Sequence, residues 1–88
     1  MRITQRDLEQ LVERVNELTE SPLEAYHKLN GQFIQNEGHY LLDYAYGGVK
    51  LTRLARHGSR DISSGYGTKK ELYNFLNGML TALDGRVH

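Results

Sequence analysis

The residues best placed for chemistry are Ser63-Ser64-Gly65-Tyr66-Gly67-Thr68-Lys69-Lys70. Two glycines precede Thr68, which together with Glu71 has the spacing of a helix capping box. A helix start exposes unpaired backbone N–H groups and the positive end of the helix dipole, both of which favour an anion. Lys69 and Lys70 oppose that dipole from within the first turn. Their placement makes physical sense if an acidic side chain or a phosphate compensates them there. The GxxxxGKS/T phosphate loop is absent, and a GYG before a helix also serves as a plain connector.

A second basic group lies just upstream, in Arg53, Arg56, His57 and Arg60. Alternation places Arg53 on an otherwise apolar strand face. Either it snorkels to the sheet edge, or it lies in a pocket where its guanidinium binds phosphate or stacks on Tyr40 or Tyr44. Tyrosines beside arginines suit a nucleobase and its phosphate. The same tyrosines, Tyr40, Tyr44 and Tyr46, also serve as ordinary strand residues filling a core. The candidate ligand contacts are therefore Arg56, Arg60, Tyr66, Thr68, Lys69 and Lys70, extended by Arg53 and Tyr44.

Other chemistries find little support. Histidines 27, 39, 57 and 88 show no metal-ligand spacing, and the chain has no cysteine, so neither a metal nor another cofactor is expected. Asp43 or Asp61 could work with His39 or His57 as acid and base, but no spacing brings them together, and no catalytic residue is assigned. Eleven Lys and Arg balance eleven Asp and Glu, which argues against the basic excess of a duplex DNA binder. The signs are segregated. Residues 1–24 carry six acids against three arginines, whereas residues 50–70 carry six bases against one acid. The two segments either face each other, within or between subunits, or leave the basic one free for an anion.

These residues must be positioned by short elements. Thr4 and Asp7 form a first capping box, with Ile3 and Leu8 at the staple positions. Leu8, Leu11, Val12, Val15 and Leu18 then recur at helical spacing until Ser21-Pro22 breaks the pattern. Asn30-Gly31 predicts a tight hairpin joining strands over about 24–29 and 32–36. Gly47-Gly48 predicts another, pairing Tyr46 with Val49, Tyr44 with Leu51, Leu42 with Arg53 and Tyr40 with Ala55. Residues 57–60 read as a turn and 61–63 as a short strand. Leu72, Phe75, Leu76, Met79, Leu80 and Leu83 give a last helical stripe, with Gly85 as its stop. The expected architecture is α+β: an N-terminal helix, an antiparallel sheet of four or five short strands in two hairpins, and a C-terminal helix, both helices on one sheet face.

Eighty-eight residues suit one small domain spanning 1–88, whose modest core and lack of disulfides favour a homo-oligomer. No apolar run reaches the length of a membrane span, so no membrane partner is expected and the cytoplasm is the expected location.

The stretch from Gly38 to Leu83 contains GHYLLDYAYGGVKLTRL, then GSRDIS, then GTKKELYNFLNGML. It resembles a group of small tailed-phage and prophage accessory proteins with a YGG hairpin, an RDIS-like strand and a TKRELY-type final helix. The resemblance implies a phage product acting in the infected bacterial cytoplasm, and it carries no catalytic residues. Some small phage proteins counter host defence by sequestering signalling nucleotides. By that analogy the expected function is non-enzymatic sequestration of a small anionic nucleotide. The alternative is a protein–protein inhibitor or regulator of a host enzyme, contacting it through the acidic first helix or the hairpin.

Overall fold

Both capping boxes form. In a computed structural model, which describes residues 2–87, Thr4 accepts the Asp7 N–H and Asp7 accepts the Thr4 N–H, opening helix α1 (Gln5–Leu18). The helix stops at Leu18, ahead of the Ser21-Pro22 break. Glu20 turns to positive φ, its N–H donates to the Glu17 carbonyl, and the Ser21 N–H donates to the Asn16 carbonyl. This is a Schellman closure with glutamate where glycine is usual.

Five antiparallel strands follow, divided between two sheets rather than gathered in one. Strands β1 (Tyr26–Leu29) and β2 (Gln32–Gln35) form a hairpin on their own, joined through Asn30-Gly31 at positive φ. Neither hairpin face is consistently apolar, so neither packs on the core. Side chains tether the hairpin at its base. Gln35 Nε2 donates to the carbonyls of Ala55 and Gly58, and Asn36 Nδ2 donates to that of Glu24.

The main sheet has the order β3 (Tyr40–Ala45), β4 (Gly48–Leu54), β5 (Ser59–Asp61). Its first turn falls on Tyr46-Gly47, not Gly47-Gly48, and pairs Tyr44 with Val49, Leu42 with Leu51 and Tyr40 with Arg53. The cause is Gly48. A Cβ there would lie 3.0 Å from the Gly67 carbonyl oxygen and 3.1 Å from Tyr66 Cβ, because the loop before the second helix docks on this end of β4 through a Val49–Gly67 bridge. Each residue's partner moves by two positions, an even shift, so every side chain keeps its expected face. Tyr46 is lifted out of the sheet into the turn. Strand β5 begins at Ser59, so the turn is confined to residues 55–58.

Helix α2 (Lys69–Val87) runs through Gly85 instead of stopping there. One helical glycine costs only about 1 kcal/mol relative to alanine, too little to end a helix by itself. Leu72, Leu76 and Leu80 from α2 meet Leu8, Val12 and Val15 from α1 over Tyr40, Val49 and Leu51, so both helices cover the same face of the main sheet. Phe75 lies off this stripe and is exposed. No described helix is long and apolar enough to cross a membrane.

Candidate functional site

The residues singled out from the sequence do not converge on one site. Thr68 caps α2 with its hydroxyl accepting the Glu71 N–H at 3.1 Å, while its own N–H donates to the Glu71 carboxylate at 3.1 Å. The helix start is thus already compensated by an acid of the chain itself. The Thr68 backbone bond, followed by the Thr68 hydroxyl, holds the Glu71 carboxyl below its ordinary pKa. Lys69 and Lys70 stay exposed in this turn, and no ion pair with a carboxylate forms at either among the described residues.

Tyr66 is engaged on the sheet face opposite the helices. Its hydroxyl donates to Asp43 Oδ2 at 2.7 Å, Lys50 Nζ lies 4.4 Å from its ring centroid, and Tyr46 meets the ring edge-on. Lys50 also pairs with Asp61 at 2.9 Å and approaches Asp43 at 4.0 Å. The Asp61 contact raises the Lys50 pKa, and the hydrogen bond to Asp43 raises that of Tyr66. Asp43 and Asp61, weighed above as acid–base candidates, therefore serve a lysine. His39 turns away from them, its Nδ1 meeting the Pro22 carbonyl at 2.7 Å. His88 lies outside the described residues, and among those described no three acidic or histidine side chains gather as a metal would need.

Tyr40, Tyr44 and Tyr46 take three different roles. Tyr40 is core, Tyr46 is solvent-facing, and Tyr44 lies between a groove beside α1 and a hollow of about 280 Å³ that it shares with Lys69. Burial, then the charge of Glu9, raises the Tyr44 pKa.

Arg53 and Arg60 do come together. They are direct partners in the β4–β5 register, so their side chains project from the same sheet face at adjacent positions. Both line a hollow of about 360 Å³ with Glu37, Gly38, Leu54 and Ile62. The Arg53 guanidinium stacks on the Tyr40 ring at 4.6 Å, and its Nε donates to the Gly38 carbonyl at 3.0 Å. Gly38 has φ +97°, the left-handed backbone that favours glycine, and this conformation aims its carbonyl at Arg53. Arg60 is exposed at the rim, whereas Arg56, exposed in the adjoining turn, is not among the residues lining the hollow. Like charges directly opposite in a sheet repel, and no carboxylate oxygen comes within 4.0 Å of either guanidinium among the described residues. Alternation predicted the unusual face of Arg53. Its partner depended on where β5 begins, which the turn chemistry of His57-Gly58 left open.

Sequence reading passed over Asn16. It falls four residues after Val12 on the buried stripe of α1, and that placement of a polar residue was the available signal. Comparison of the chain with protein-family models, curated protein sequences and solved structures gives no match.

Proposed function

We propose that the protein is a non-catalytic binding module whose Arg53–Arg60 hollow takes the phosphate of a small anionic nucleotide. The observation that carries this reading is the cross-strand arginine pair, with no carboxylate oxygen within 4.0 Å of either guanidinium among the described residues, set in a hollow of about 360 Å³ whose lining also includes Glu37. A phosphate seated between two guanidinium groups converts their repulsion into paired charge-assisted hydrogen bonds. Ile62 supplies apolar wall for a base, and the hollow lies within the size range of small-ligand sites. Lys69 and Tyr44 form a lesser anion site some distance along the sheet, while Tyr66 and Thr68 support structure. With the resemblance to phage accessory proteins, the proposed role is sequestration of a nucleotide signal of bacterial antiviral defence in the infected cytoplasm.

Native mass spectrometry with a panel of cyclic dinucleotides, cyclic oligonucleotides and cyclic ADP-ribose isomers tests this. A stoichiometric adduct, released unchanged on denaturation and lost in Arg60→Glu but kept in a Lys69→Glu/Lys70→Glu variant, is the expected result. Adducts that survive Arg60→Glu would overturn the assignment to this hollow. If nothing in the panel binds, the second reading gains: a host enzyme bound through the acidic outer side of α1. Loss of activity in an infection assay on reversing Glu13 and Glu17 would support it.

A further inference from the structure

Strand β3 is an edge strand whose outer side is only partly closed. The two-residue turn makes Ala45 and Gly48 a hydrogen-bonded pair, so alternation points the backbone groups of Tyr40, Leu42 and Tyr44 away from β4. The Asn16 side chain takes both groups of Tyr40. Those of Leu42 and Tyr44 have no protein partner among the described residues. Beside them runs a groove of about 450 Å³, floored by Val12, Leu42 and Tyr44 and edged by Leu23, Glu9 and Glu13. Its open strand edge, apolar floor and acidic rim fit a β-strand that carries apolar side chains and a cation.

The chain itself contains such a strand. The β1–β2 hairpin has no acidic residue between Tyr26 and Gln35, carries Lys28, and exposes Phe33 by 75 % and Leu29 by 53 %. Two-stranded hairpins are marginal without further packing. By the same alternation, Tyr26 and Lys28 present their backbone groups on the free edge of β1. The hairpin cannot reach the groove of its own chain while Gln35 holds it against the Ala55–Gly58 turn.

We infer that two copies of this chain join reciprocally, β1 of each adding to the β3 edge of the other. Pairing of outward-directed residues puts Lys28 on the same face as Tyr44, the face that α1 covers, and so brings it to Glu9 and Glu13. Phe33, the cross-strand partner of Lys28, follows onto that face. The contact is made twice about a two-fold axis, which occupies the β1 and β3 edges of both copies, so the same contact cannot propagate to a third. This inference is independent of the anion site and stands or falls without it.

Sedimentation velocity across a concentration series, with Phe33→Asp, Lys28→Glu and Glu9→Lys/Glu13→Lys variants, tests it. The parent chain sediments at twice the chain mass, and each variant alone drops to the monomer while keeping its circular dichroism spectrum. Combining Lys28→Glu with Glu9→Lys/Glu13→Lys in one chain restores the dimer. Hydrogen exchange of the Leu42 and Tyr44 amides is slow in the dimer and fast in Phe33→Asp. A monomeric parent chain overturns the inference and makes a foreign strand the better occupant of the groove. So does a dimer that survives these variants, or one that leaves Leu42 and Tyr44 in fast exchange.

Discussion

Asn16 and Tyr40 join helix α1 to strand β3 by a reciprocal pair of hydrogen bonds. Asn16 Nδ2 donates to the Tyr40 carbonyl at 3.0 Å, and the Tyr40 N–H donates to Asn16 Oδ1 at 2.8 Å. Asn16 is 2 % exposed, so water does not compete for either bond. One amide side chain thereby fixes the height of the helix over the sheet and seals one end of an open strand edge.

Replacing Asn16 with leucine keeps the number and branching of the side-chain heavy atoms, in a bulkier group, but strands a buried N–H and a buried carbonyl. Each unsatisfied group costs about 1–3 kcal/mol, so the loss should exceed that of a surface substitution several-fold. Urea unfolding should show a lower midpoint with an unchanged slope. An unchanged midpoint would mean that Tyr40 finds other partners.

The helix caps give the protein an acid limb. Asp7 and Glu71 both have lowered pKa values, each chiefly through the backbone N–H of its capping threonine. Their contribution is full above the ordinary carboxylate range, where the unfolded chain is also ionised, and is lost as pH falls through the lower folded values. Stability measured by urea at stepped pH should therefore decline below the usual carboxylate range. Glu71→Gln should flatten part of that decline. Thr68→Ala should cost about 1 kcal/mol at neutral pH.

Arg60 opposes Arg53 at the expense of the empty fold. Arg60→Thr should raise stability by about 0.2–1 kcal/mol, the size of a cross-strand pair, in low-salt buffer without phosphate. Added phosphate should raise the Tm of the parent chain and leave that of the variant nearly unmoved. A variant less stable than the parent in phosphate-free buffer would show that Arg60 has a partner of its own.

At Gly48 a methyl group would fit only if the Tyr66–Gly67 backbone gave way by a few tenths of an ångström. Gly48→Ala should cost about 1–3 kcal/mol, as overpacking does, by pressing the Tyr66–Gly67 backbone away from β4. Amide exchange at Val49 and Gly67, which bond each other across the bridge, should rise together. Exchange that rises at neither would place the strain elsewhere.

What could be read from the sequence was what is decided locally. Thr4, Asp7, Thr68 and Glu71 cap their helices with reach of three residues, and Asn30-Gly31 turns a chain without outside help. The alternation of β3 and β4 fixed which residues face the helices. Position along the strand was another matter, because the glycine that must stay in β4 is selected by a loop nearly twenty residues later. The same distance hid the candidate site. Arg53 and Arg60 are neighbours only through the start of β5, and the helix start, so suggestive of an anion, is answered by Glu71 three residues on. The free hairpin followed from its own lack of an apolar face, yet its separation from the main sheet could not be seen until the sheet closed without it.

The Tyr66–Asp43 bond has a further consequence for how this molecule can be observed. The chain has no tryptophan and six tyrosines, so its intrinsic emission is tyrosine emission alone. A phenol bonded to a carboxylate is quenched relative to one in water. Tyr66 is bonded in this way to Asp43, so it is dim while the loop before α2 stays seated on β4 and brightens when that loop lifts. The docking of residues 64–67 thus carries its own optical signal, readable in real time without any attached label.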